Sequence, residues 1–386
     1  MRIVMLAPFG IRPKGTLLAR MLPLAQALTG RGHQVTIVAP PVHNPEDAGT
    51  RALYGGVPVI HTAQPRLPGP AAALDQSAAL LRLALAEQPT VLHLFKPKGY
   101  AGLAALAARG LRPHLPLVVD ADDWEGPGGW NDLLPYPASA RQLFAWQERD
   151  LPRRAAAVTV ASHTLESLVW AMGVPPARVF YLPNGAAPAA PAPPAVVAAQ
   201  PALLLYTRFW ELDLAELAAA LAAIHQARPA ARLIVVGRGE RGEERALRAH
   251  AVRAGFAAML DERGWLTPEQ IPSAMAEAHI ALVPARDTLV NRARCSAKLL
   301  EMMGAGLAVV ASDVGEARSF VEHERSGLLV RPGDPGALAT ATLRLLADPA
   351  LRERLAAGAR AAARRFTWDT LAPTAERAYT AALHCR

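Results

Sequence analysis

Lys298 and Glu301 stand three residues apart in the run Ser296-Ala297-Lys298-Leu299-Leu300-Glu301, whose spacing predicts a helix over 297–303. Residues three apart share a helix face. An ammonium near a helix N-terminus suits a diphosphate, and a carboxylate beside it suits the two hydroxyls of a ribose. The plain alternative is an i,i+3 ion pair, worth a few tenths of a kcal/mol. A polar, cationic loop carrying Asp287, Asn291 and Arg292 leads into this helix, and Gly304-Ala305-Gly306 with an apolar run over 308–311 follows it. That setting favours a binding site.

A second group of chemically capable residues is Asp120-Ala121-Asp122-Asp123-Trp124-Glu125. Several acids directly follow an apolar strand, and acids at the carboxyl ends of parallel strands line ligand crevices. They would grip sugar hydroxyls, act as a base or hold a metal, or else serve as loop caps. No histidine or further acid nearby has ligand spacing, which weighs against the metal. Two glycine-rich turns complete the set. Pro8-Phe9-Gly10, followed by Gly15-Thr16, reads either as the wall of a phosphate or acceptor site or as a simple turn with Thr16 capping a helix. Gly237-Arg238-Gly239-Glu240-Arg241-Gly242 fits the dinucleotide fingerprint GxGxxG. No clear strand-end acid lies about 20 residues further on, where that fingerprint places its ribose ligand; Asp261 precedes a Gly-Trp turn.

These residues need elements to hold them, and the chain alternates strand-like with helical runs, the pattern of α/β domains with parallel sheets. Strands are expected over 2–7, 34–39, 57–61, 91–95, 117–120, 157–161 and 179–182, with a helix over 17–28 that gives a Rossmann-like opening. After the Pro/Ala tract 186–200 the pattern restarts, with strands over 202–207, 232–236, 280–284, 308–311 and 327–330. Helices are expected over 213–226, 243–254, 335–346, 349–364 and 368–383. Two domains follow from this: 1–185 and 201–366, joined by the 186–200 linker, with 367–386 packing back on the first. The length of 386 residues agrees, being about twice an ordinary domain.

Composition narrows the function classes. The net charge of +8 favours anionic partners, yet the cations are spread along helices rather than run together, as solvated helix faces are. Aromatic residues are only 5%, which argues against a stacking platform for nucleic acid. Cys295 and Cys385 have no metal or redox spacing. The N-terminus lacks a signal-peptide layout and no apolar stretch is long enough to span a bilayer. The expectation is a cytoplasmic protein whose membrane contact, where it occurs, is peripheral and at the inner face.

The order of these motifs resembles glycosyltransferase family 4, enzymes of the GT-B fold in which two Rossmann-like domains face each other across a cleft. The most specific part is Lys298–Ser312, KLLEMMGAGLAVVAS, which is similar to the family's LEAMA-x-G-x-PVVAS signature. The opening glycine loop, His93-Leu94-Phe95-Lys96, Tyr181-Leu182-Pro183-Asn184-Gly185, Val236-Gly237-Arg238-Gly239, Gly264-Trp265-Leu266 and Ser326–Val330 support it. By resemblance, Glu301 contacts the donor's ribose as the second Glu of the E-x7-E motif. The first Glu falls on Ala293, which leaves Asp287, Asn291 and Arg292 to make its contacts. Arg208 matches the arginine that grips the donor diphosphate. Its usual lysine partner is absent from 209–217, and Lys298 supplies that charge, as in K-x-x-E variants. Ser296 and Leu299 belong to the same helix start. Trp265 and Leu266 match the turn whose backbone reads the nucleobase, and Gly237 and Arg238 the second-domain turn. Asp122 falls where many members place a histidine near the reacting sugar. Gly15 would face the diphosphate and the acceptor.

The resemblance implies transfer of a sugar from a UDP- or GDP-linked donor to a glycan, glycolipid or small-molecule acceptor. It implies retention of configuration, no metal, no other cofactor, no nucleic-acid partner, and domain closure over the donor. Other readings stay open: a degenerate sugar-nucleotide-binding protein, a nucleotide-sugar epimerase, and a nicotinamide enzyme on the GxGxxG turn.

Overall fold

The computed structural model describes residues 1–11, 15–186 and 201–385. Most of the Pro/Ala tract, residues 187–200, lies outside the described residues, as do Arg12, Pro13 and Lys14. The chain divides into two compact units: Met1–Gly185 with Ala293–Cys295 and Trp368–Arg386, and Ala186–Arg292 with Ser296–Thr367.

In the first unit the strands are β1 (Arg2–Leu6), β2 (Gln34–Ala39), β3 (Arg51–Tyr54), β4 (Val57–His61), β5 (Val91–Phe95), β6 (Leu117–Ala121), β7 (Ala157–Val160) and β8 (Val179–Tyr181). They form one sheet in the order β3-β4-β2-β1-β5-β6-β7-β8. Every pairing is parallel except that of β3 with β4. Parallel strands are covered on both faces, so they read as unbroken apolar runs; all five residues of β5 are buried. The helix after β1 opens with one π-helical turn, Leu17–Met21, and continues as Leu22–Gly30. Helix Trp368–His384 buries Trp368, Leu371, Ala372, Ala375, Ala378, Tyr379 and Ala382 in this unit's core. Strand β3 escapes the sequence reading because RALY has no strong alternation. It exists because Gly55 and Gly56, at φ 55° and 84°, make a two-residue hairpin turn that folds it onto β4.

The second unit holds β9 (Ala202–Tyr206), β10 (Arg232–Val236), β11 (Leu260–Gly264), β12 (Ile280–Val283), β13 (Ala308–Ser312) and β14 (Leu328–Val330). Its sheet runs β11-β10-β9-β12-β13-β14, parallel throughout. Strand β11, LDERG, was not foreseen: it is an edge strand, and edges carry charge without loss of burial. Helix Leu214–Ala227 starts one residue later than expected, because the Asp213 carboxylate caps it by accepting from the amides of Ala215 and Glu216. Asp334 and Asp348 cap the helices Pro335–Ala347 and Pro349–Ala363 in the same way.

Ligands of open α/β sheets gather where the strand order reverses, outside the strands' carboxyl ends. That point lies between β1 and β5 in the first unit and between β9 and β12 in the second. Gly237, after β10, is fixed by close approach: its φ is +121°, and a Cβ there would sit 1.8 Å from the Thr207 carbonyl oxygen. Gly237→Ala is therefore expected to destabilise the second unit by at least about 2 kcal/mol through backbone strain and overpacking. Gly255→Ala, at φ +78° with open space around it, should cost only about 1 kcal/mol. Urea unfolding midpoints of the two variants check the contrast.

Candidate functional site

Two of the sequence-predicted cations stand near the carboxyl end of β9: Lys298 packs on Tyr206, and Arg208 follows the strand. Tyr206 ends the strand, and the Lys298 ammonium lies 4.7 Å from the centroid of its ring. Burial, and then the charge of Glu301, push the Tyr206 hydroxyl above its ordinary range. Arg208 follows two residues later, exposed, with Nη2 donating to Glu240 Oε1 at 2.7 Å. Lys298 and Glu301 are carried by helix Ala297–Ala305, which Ser296 precedes without a side-chain cap and Gly306 ends at φ 83°. Leu299 is buried and anchors this helix, while Lys298 and Glu301 are half-buried.

The glycine-rich turn and the tryptophan turn meet through one bond, the Gly237 amide donating to the Gly264 carbonyl at 2.7 Å. Arg238 is exposed, Leu266 half-buried, and Trp265 55% exposed. Two amides that a dinucleotide's phosphates would need are already occupied: Gly239 donates to Glu244 at 3.0 Å and Arg241 to Glu243 at 2.8 Å. Its own backbone amide first, and then, against burial, the Gly239 amide hold the Glu244 carboxyl below its usual range. The GxGxxG turn thus meets its own helix's acids, which accounts for the fingerprint without a nicotinamide.

The loop before Lys298 is arranged differently from the ligand set expected there. Asp287 and Arg292 pair with each other, at 2.5 and 2.7 Å. Asn291 is buried, its amide donating to the carbonyls of Glu211 at 2.8 Å and Arg286 at 2.9 Å, so it pins the loop. Ala293, where the family's first Glu would stand, is fully buried.

In the first unit, the switch point gathers a dense group of charges. Thr16 does not cap its helix; its hydroxyl donates instead to Asp122 Oδ2 at 2.9 Å. The simple capped turn is corrected on this point, because the carboxylate across the sheet is the stronger acceptor. Gly15 beside it is exposed, and its carbonyl accepts from the Ala19 amide at 2.8 Å. The Lys96 ammonium lies 3.6 Å from Asp122 Oδ1 and 3.9 Å from Glu125 Oε1, and is hydrogen-bonded to Asp123. Lys98 pairs with Glu125 at 2.7 Å and with the Tyr136 hydroxyl at 2.9 Å. Burial lifts the Asp122 carboxyl to about 6, with Lys96 pulling it down and Asp123 and Asp120 adding to the rise. Burial and the charge of Glu125 push Glu148 well above the usual carboxylate range.

Beneath this lies a buried scaffold that the sequence reading did not foresee. Arg20, 1% exposed, makes a two-pronged pair with Asp120 at 2.7 and 2.6 Å, and also donates to the Leu182 carbonyl and to Asn184. Thr159 donates to Asp120 at 2.5 Å, and His93 shares a hydrogen bond with the Tyr379 hydroxyl at 2.9 Å. The one available signal was an arginine inside an otherwise apolar helical run. Among the described residues, no group of three or more His, Cys, Asp or Glu is arranged to hold a metal ion.

Comparison with known proteins now defines the class. Residues 15–185 match the family description "Glycosyl transferase 4-like domain" and residues 200–348 match "Glycosyl transferases group 1". The phosphatidyl-myo-inositol mannosyltransferase of Mycobacterium leprae is 26% identical over 98% of this chain and 96% of its own length. The fold is that of sucrose-phosphate synthase from Thermosynechococcus elongatus (TM-score 0.74, 21% identity, 98% of each chain). Anabaena HepE, solved with UDP and glucose, superposes with a TM-score of 0.75 at 20% identity, over 97% of this chain and 98% of that one. Two parallel-sheet units of this kind are the GT-B fold, and the protein is a glycosyltransferase. Within that class, the chain belongs to glycosyltransferase family 4, its first part the 4-like domain and its second the group 1 domain.

Proposed function

We propose that the protein transfers a sugar from a UDP- or GDP-linked donor to a glycan, lipid-linked or small-molecule acceptor, with retention of configuration. The observation that carries this reading is Lys298 packed on the Tyr206 ring at the end of β9, two residues before Arg208, with Glu301 one turn further along the same helix. In the reaction the glycosidic bond to phosphate breaks through an oxocarbenium-like state, and negative charge grows on the leaving diphosphate. Lys298, Arg208 and the helix start at Ser296 meet that charge and lower the barrier. Glu301 holds the ribose, the Trp265–Leu266 turn reads the base, and Gly237 and Arg238 wall the site. Arg208 must exchange Glu240 for the donor's phosphate. Support for a nucleotide-sugar donor comes from the UDP and glucose bound by HepE, and support for a lipid or polyol acceptor from the mannosyltransferase relative.

By the family pattern, Asp122 in the first unit, with Gly15 nearby, is the residue we assign to the reacting sugar. As an ionised carboxylate it steadies the positive charge that builds on the sugar ring. The two cationic side chains make a metal unnecessary for the diphosphate, so we place no metal or other cofactor in the reaction; EDTA should leave the rate unchanged. Among the described residues, no helix is long and apolar enough to cross a membrane, and we place the protein in the cytoplasm, with any lipid acceptor reached peripherally. Incubation with a panel of UDP- and GDP-sugars and polyol acceptors tests the reading. Acceptor-dependent release of free UDP or GDP is expected; its absence across the panel, with no nucleotide binding either, would overturn it.

A further inference from the structure

Lys96 belongs to no motif with an assigned role, yet its surroundings are unusual on three counts. It is 7% exposed, and it sits among carboxylates from one loop: Asp122 at 3.6 Å, Glu125 at 3.9 Å and a hydrogen-bonded Asp123. Its backbone has φ +51°, a left-handed conformation that costs a non-glycine residue about 1 kcal/mol or more and persists where the surroundings over-determine it. The turn is held by the Lys96 amide donating to the Asp120 carbonyl at 3.0 Å and the Lys98 amide donating to the Lys96 carbonyl at 2.6 Å. The third point is an imbalance. Four carboxylates, Asp122, Asp123, Glu125 and Glu148, gather around Lys96 and Lys98, with Arg20 acting on Asp122 as well, and Asp122 Oδ1 and Glu148 Oε2 are buried without a hydrogen-bond partner.

We propose that Lys96 is a positioning residue: its ammonium, aimed by the strained turn after β5, keeps the Asp122 carboxylate ionised and oriented, with Thr16 holding one oxygen and Lys96 facing the other. This rests on the reading of Asp122 given above. Burial opposes the charge on Lys96, but Asp122, Asp123 and Glu125 outweigh it and hold the ammonium well above its ordinary range, so Lys96 stays charged. The groups around Asp122 are Thr16 and Arg20 from the first helix, Asp120, Asp123 and Glu125 from its own strand and loop, Lys96 from the turn after β5 and Glu148 from helix Ala138–Arg154. Of the two cations, Lys96 exerts the larger pull on Asp122.

The pull of Lys96 and the push of Asp123 have opposite signs, and that supplies the test. If ionised Asp122 is the active form, kcat falls as pH drops through the carboxyl's midpoint near 6. Lys96→Met should move that acid limb up by about 1 to 3 pH units, the shift expected when a close opposite charge is lost. Asp123→Asn should move it down. Lys96→Arg should keep it near the native position. Where Lys96→Met fails to fold, Asp123→Asn, which relieves a net-acidic cluster, carries the sign test alone. An acid limb that stays in place in these variants, or that moves upward in Asp123→Asn, overturns the proposal. Asp122→Asn separates this from the underlying reading: undiminished turnover in that variant would discredit the role of Asp122 itself, whereas lost turnover with an unmoved limb in the Lys96 and Asp123 variants would discredit only Lys96.

Discussion

Lys298→Ala is expected to lower kcat by about a hundred- to a thousandfold, the usual effect of removing one preorganised contact to transition-state charge, or about 3–4 kcal/mol. The Lys298 side chain lies over the Tyr206 ring, so its ammonium is held before the donor arrives and no reorganisation is needed as charge builds on the diphosphate. Its contribution to stability is smaller, about 0.5–1 kcal/mol for a partly exposed cation–π contact, so the variant should fold. Lys298→Arg keeps the charge but replaces a compact ammonium with a planar fork, and should recover part of the rate. Arg208→Ala should show a loss of the same order. Steady-state kinetics with saturating acceptor, alongside melting curves, checks both parts: a rate within threefold of native in Lys298→Ala would remove Lys298 from the reaction.

Arg20→Met should lower the stability of the first unit by about 3–5 kcal/mol, because it leaves the Asp120 charge buried without its partner. Arg20 and Asp120 are 1% and 0% exposed and joined by two hydrogen bonds of 2.7 and 2.6 Å, and the guanidinium also satisfies the Leu182 carbonyl. The double variant Arg20→Met with Asp120→Asn removes the orphaned charge and should regain a good part of the loss. The readout is the urea midpoint of the first unit, followed by a probe on its own tryptophans, since a chain of two units need not unfold in one step. Equal stability of Arg20→Met and the native chain would show that the pair carries no structural weight.

Much of the fold was legible in the sequence because parallel strands are apolar along their whole length. Runs such as Val91–Phe95 and Arg232–Val236 announce themselves and end where their flanking polar residues begin. Arg51–Tyr54 and Leu260–Gly264 did not, since both are edge strands whose side chains need not be buried. Lys298 and Glu301 share a helix face by spacing alone, and folding brings Lys298 over Tyr206. What spacing cannot express is contact across the chain. Thr16 reaches Asp122, Lys96 reaches Asp123, and Arg20 reaches Asp120, each across 27 to 106 positions. Asn291 is held by contacts that spacing does not express. Its type suited a ligand, but burial turned its amide toward two backbone carbonyls.

On the proposed function, Lys298, with Glu301 on the same helix and Arg208 after β9, receives the pyrophosphate of a nucleotide sugar. Melting curves of the native protein and of Lys298→Ala, with and without UDP, GDP, their sugars and NAD, test it most directly. One UDP or GDP series should stabilise the native protein, by about 2.7 kcal/mol at a hundredfold excess over Kd; NAD should not, and the shift should vanish in Lys298→Ala. An undiminished nucleotide shift in that variant, or stabilisation by NAD alone, would contradict the account.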